Sequence, residues 1–141
     1  QFGRVEEHTF SAAQTQERVL LTALGEHLGR SRVTLVELKN SEVSDEDLEN
    51  LQAAAENLVS ASRLFRAAAE RAGETQIAGV MEETERVLLR FAVAPEADAK
   101  DALSGLRRRV ESNDLLFRLQ VLEAQVEKRE KDILPSSQSS L

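Results

Sequence analysis

The sequence predicts an all-α protein, an antiparallel helical hairpin plus two further helices that form a four-helix bundle-like domain with a long C-terminal helix. Three observations carry this prediction. About half of the 141 residues are Ala, Glu, Lys, Leu or Arg, the usage of long helices and coiled coils. Apolar residues recur at alternating helical spacings along most of the chain. Only 6 Gly and 2 Pro interrupt it, and Trp and Tyr are missing, which leaves little turn or strand material for a sandwich, a barrel or a Rossmann fold. At this length there is room for a single sizeable core.

Residues 1–10 show no periodicity and read as an N-terminal arm, with Phe2 or Phe10 as an anchor onto the bundle. A single helical domain is expected over 11–134, with helices at about 11–39, 45–72, 75–94 and 98–133. The first helix carries a heptad-like seam of Leu21, Leu24, Leu28, Ser31, Leu35 and Leu38. Ser44 then precedes Asp45, Glu46 and Asp47, an N-cap followed by carboxylates that suit the positive end of a helix. The seam of this second helix is Leu48, Leu51, Ala55, Leu58, Ser62, Phe65, Ala69 and Ala72, with Gly73 as its stop.

The short link between these helices predicts a hairpin. Its register sets Leu38 against Leu48, Leu28 against Leu58, Leu24 against Ser62 and Leu21 against Phe65. The third helix bears Ile77, Met81, Thr84, Leu88 and Phe91, with Val80 and Val87 beside them, and ends at Ala94-Pro95. Asp98 is the expected N-cap of the fourth, which carries Leu103, Leu106, Val110 and Phe117. Near Ser112-Asn113-Asp114 the apolar face shifts to Leu115, Leu119, Leu122, Val126 and Ile133. With no Pro or Gly at the step, one continuous helix is expected. Residues 135–141 (PSSQSSL) read as a disordered tail.

Charge and chemistry exclude more than they assign. With 18 Lys+Arg against 25 Asp+Glu the formal charge is −7, which disfavours a nucleic-acid partner because phosphate binding depends on cationic side chains. The absence of Cys excludes disulfides, thiolate nucleophiles and zinc knuckles. A dimetal bundle site requires Glu-x-x-His spacing, whereas the two histidines are His8 in the arm and His27 directly after Glu26. No cofactor, metal or catalytic set is therefore expected, and the chain reads as no enzyme.

Glu82, Glu83 and Glu85 read as a helix surface paired with arginines, and Arg107, Arg108 and Arg109 as a solvated, salt-bridged one. Gly25 and Gly29 form a G-x-x-x-G step in the first helix, where each glycine costs up to about 1 kcal/mol relative to Ala. That cost predicts a tight crossing by another helix or a second subunit. Ser31, Asn57, Ser62, Arg63, Thr84 and Asn113, on or beside the seams, are expected to form an internal polar network.

Four strings, HLGRS (27–31), ENLVSASRLFR (56–66), EETERVLLRF (82–91) and DLLFRLQVLEAQV (114–126), occur in this order. Over about residues 18–130 the chain resembles a family of uncharacterised helical proteins from acidobacteria and related bacteria. These proteins are usually encoded beside a zinc-finger anti-sigma factor and an extracytoplasmic-function sigma factor. The resemblance implies that His27, Arg30, Ser31, Arg63, Arg66, Glu85 and Arg86 are recurring polar positions, either a structural network or a partner surface. It also implies an extracytoplasmic helical domain acting by protein contacts in a stress-response system, with a protein partner or self-association. Membrane contact is expected only through an anchor removed upstream of Gln1, and a cytoplasmic setting stays open. The alternatives are a structural oligomerisation module built on the C-terminal helix and, less favoured, a small-molecule-binding bundle.

Overall fold

The computed structural model describes residues 12–40, 42 and 44–133. The arm over 1–10, its two phenylalanines and the tail over 135–141 lie outside the described residues. Within them the protein is an all-α, bundle-like domain of five helices: α1 (Ala12–Asn40), α2 (Asp45–Arg71), α3 (Thr75–Ala92), α4 (Ala99–Ser112) and α5 (Leu115–Asp132). A 3-10 turn (Glu96–Asp98) joins α3 to α4. No helix among the described residues is long and apolar enough to cross a membrane.

Local chemistry explains most helix ends. Ser44 caps α2 by accepting from the Asp47 amide at 3.3 Å, while its hydroxyl donates to the Asp47 carboxylate at 2.8 Å. At the other end Gly73 takes φ +76, a left-handed conformation that costs glycine nothing, and the Glu74 amide reaches back to the Ala69 carbonyl at 2.8 Å. Asp98 departs from expectation. It precedes α4 but makes no side-chain capping bond, because the 3-10 turn behind Pro95 already brings the chain into helical conformation.

Every predicted seam residue of α1 is buried, and so are Ile77, Val80, Met81, Thr84, Val87, Leu88 and Phe91 of α3. Along α2 the seam is shallower, with Leu51 and Phe65 half-buried and Ala72 exposed. The pairing of helices is distinctive. The most extensive contacts are between α2 and α3 and between α1 and α5, and the α1–α2 contact is much sparser. Two ion pairs give the α1–α5 direction: Glu17 with Arg129 and Arg32 with Glu123 run antiparallel. Two side chains tie helix ends across the bundle. Gln52 donates to the Phe91 and Ala94 carbonyls at 3.0 and 2.9 Å, and Arg107 donates to the Leu38 carbonyl at 2.7 Å.

The expected single C-terminal helix is two helices. Asn113 and Asp114 turn tightly, with the Asp114 amide on the Glu111 carbonyl, and Asp114 takes φ 51 and ψ 37. A short polar residue tolerates this left-handed conformation better than most, so no glycine is needed. The turn resets the helical phase. A continuous helix would align Phe117 with Val110, seven residues before it; instead Leu115, Leu119, Leu122 and Val126 face the core and Phe117 is 65% exposed.

Candidate functional site

α2 lies between α1 and α3 and presents different polar residues to each. Toward α1 it offers Ser62 and Phe65; toward α3 it offers Arg63 and Arg66. The seven polar positions singled out in the sequence consequently fall in separate places.

His27 is fully buried, with Ser31 and Ser62 buried around it. The ring lies on Phe65, stacked with centroids 4.7 Å apart. Ser31 Oγ donates to the His27 carbonyl at 2.8 Å, so toward the ring it can only accept. Nε2 shares a hydrogen bond with Ser62 Oγ at 3.1 Å and lies 3.4 Å from Ser31 Oγ, the donor toward Ser62 being set by the tautomer. Nδ1 has no hydrogen-bond partner. Burial, and secondarily the positive charge of Arg30, push the His27 pKa down to about 4. The imidazole is neutral at neutral pH.

Ser62 meets His27, one turn along α1 from the Leu24 against which the hairpin register sets it. Above this cluster α1 and α2 diverge into an open furrow of about 770 Å³. Gly29, Val33, Ala54, Leu58 and Ala61 line it, with Glu26 and Arg30 at the rim. Val33 is 52% exposed there.

The two glycines of the G-x-x-x-G step behave differently. A Cβ on Gly25 would lie 3.4 Å from Glu130 Oε1 and 3.6 Å from Val126 Cγ1, so Gly25 faces α5 closely. A Cβ on Gly29 would meet nothing within 4 Å. The expected tight crossing is therefore corrected at Gly29, which opens the furrow because helix divergence has removed its neighbour.

The second cluster joins α2 to α3. Glu85 receives Arg63 Nε at 2.9 Å and lies 3.6 Å from Arg66 Nη2, with its side chain 16% exposed. Arg86, next in sequence, points away and pairs with Glu82 at 2.8 Å on the exposed face of α3. The expected polar network is smaller than its six seam residues. Asn57, Arg63 and Asn113 are exposed, and Thr84 bonds back to the Val80 carbonyl at 2.8 Å. Only Ser31 and Ser62 join through His27. Phe65, read in the sequence as a seam residue, completes this cluster as the stacking partner, and its spacing of three from Ser62 is the signal that places both on one face.

Among the described residues no three or more His, Asp or Glu side chains gather closely enough to hold a metal ion. Comparison with protein-family models, with curated proteins and with solved structures finds no match to this chain.

Proposed function

We propose that the chain is a non-enzymatic helical domain that works outside the cytoplasm by protein–protein contact, in a stress-response system pairing a zinc-finger anti-sigma factor with its sigma factor. The resemblance of the four strings supplies the pathway and compartment. The observation that supports contact as the mode of action is the α1–α2 furrow, an ordered apolar strip with an exposed valine and small residues that admit another backbone. Contact between α1 and α2 is much sparser than that of α1 with α5 or of α2 with α3, which leaves the width of this furrow free to change. A partner that prefers one spacing of the two helices would shift the population toward it.

The test is calorimetric titration of the purified chain with the extracytoplasmic segment of the anti-sigma factor encoded beside it. Binding by the wild type, lost in Gly29→Leu without a fall in Tm, is expected. No binding, or binding indifferent to Gly29→Leu, refutes the reading. Self-association through α5 is the second reading, favoured by Phe117 and Val121, exposed four residues apart on one helix face. A mass in solution that stays monomeric at high concentration removes it.

A further inference from the structure

The groove between α3 and α4 is lined by arginines that make no ion pair among the described residues. Arg90 and Arg108 line a crevice of about 500 Å³ whose loop end holds Asp98 and Asp101, and Arg109 lines a second one of about 530 Å³ between the same two helices, beside Glu83 and Ser112. None of the three makes an ion pair among the described residues. At Arg108 and Arg109 this departs from the expectation of a salt-bridged surface. Arg107 turns inward to Leu38, while Arg108 and Arg109 stay uncompensated. The neighbouring cations Arg86 and Arg118 are satisfied by Glu82 and Glu83.

On a chain of charge −7, such a concentration of unpaired positive charge is out of keeping with the rest of the surface. The other described cations without an ion pair, Arg30, Arg71 and Lys128, stand apart on three different helices. Like charges set together on adjacent helices repel, and an anionic partner relieves that repulsion. The groove also has an apolar floor. Ala94 and Ala102 line it, Val93 is 64% exposed beside them, and Gly105 leaves room for the Arg108 guanidinium, which lies 3.9 Å from where a Cβ would stand.

We propose that this groove docks an acidic, partly apolar segment of a partner protein, with its carboxylates on Arg90, Arg108 and Arg109 and its apolar side chains on Val93 and Ala102. Guanidinium groups pair carboxylates in a planar, two-pronged geometry that lysine cannot match. Asp98 and Asp101 close the loop end of the groove, so the acidic part of the segment lies toward Ser112. Those carboxylates, with Glu82 and Glu83 alongside, disfavour a uniformly charged nucleic-acid backbone in the same place. The proposal rests on the reading that the domain works by protein contact, but on a different face from the α1–α2 furrow.

The experiment is fluorescence anisotropy with a labelled twelve-residue peptide in which glutamates alternate with leucines. Saturable binding that weakens with added salt is expected. The triple variant R90Q/R108Q/R109Q should weaken it about tenfold or more, the worth of three exposed ion pairs. R30Q/R71Q/K128Q, which removes the same charge elsewhere, should leave it within about twofold, as the screened field of distant charges contributes little. None of the six makes an ion pair among the described residues, so Tm should not change; if the groove triple melts lower, the single variant R108Q carries the test with about a threefold loss. No saturable binding, equal loss in both triples, or tighter arginine-dependent binding to duplex DNA or to anionic vesicles overturns the proposal. Gly29→Leu should leave peptide affinity unchanged. A failed peptide thus condemns the arginine groove alone, while a failed anti-sigma titration condemns the furrow reading.

Discussion

Acid should destabilise this domain through one imidazole. His27 is fully buried against Phe65, Ser31 and Ser62, and its pKa is pushed down to about 4 from an ordinary value of 6.5. Because the folded-state value is the lower of the two, protons bind the unfolded chain first. Above pH 6.5 both states are neutral and the contribution to stability is intact; it is lost as pH falls and is gone below about 4. Each pH unit in that window removes about 1.4 kcal/mol, which makes about 3 kcal/mol in total and about 2 kcal/mol between pH 7.5 and 5. Set against a typical domain stability of about 5–15 kcal/mol, this is a large share. Ion-paired carboxylates also lose charge in acid, so the comparison is with His27→Gln, whose amide can still donate to Ser62 while no longer titrating. Urea unfolding followed by circular dichroism at the two pH values gives the difference. The reasoning is refuted if both proteins lose the same stability, or if the imidazole titrates near 6.5 in the folded protein by NMR.

Other perturbations follow from the same geometry. Gly29→Ala should raise stability by about 0.5–1 kcal/mol, since its Cβ enters open space and helix propensity improves. Gly25→Leu should lower it, because the added atoms meet Val126 and Glu130; a thermal melt of each variant decides. Gln52→Ala takes the side-chain donor from the Ala94 carbonyl and leaves the Phe91 carbonyl only its backbone donor, and should cost about 1–2 kcal/mol in chemical denaturation. Asp114→Val places a β-branched residue at positive φ and should cost about 1–2 kcal/mol, whereas Asp114→Gly should not.

Much of the architecture was legible because its signals are local. Ser44 and Gly73 begin and end α2 through bonds made within a few residues, and the leucines of α1 declare one face by spacing alone. The break at Asp114 was half legible. The sequence announced it as a displaced apolar face from Val110 to Leu115, but a left-handed aspartate carries no composition signal comparable to a glycine. Phe117, in phase with Val110 on paper, was accordingly expected inside. Of the candidate site, Ser31 and Ser62 stood out as polar residues on apolar seams, and His27, beside the Leu24 and Leu28 seam, read as a partly buried hydrogen-bonding group; what spacing could not say was that Ser62 and Phe65 of α2 would be its partners. Arg90 gave no signal either, since whether an arginine is paired depends on which carboxylates other helices bring near it.

By itself the sequence determined the all-α class, the faces that turn inward and the ends where a cap or a stop stands. These follow from backbone propensity and from a helical period that any local stretch expresses without reference to the rest. Tertiary structure decided which helices pair, and so that α1 binds α5 and α2 binds α3, leaving α1 and α2 splayed over His27. An apolar stripe fits many other stripes almost equally well. Only the joint packing of all five helices selects among them, and the furrow at Gly29 and the unpaired arginines between α3 and α4 are products of that selection.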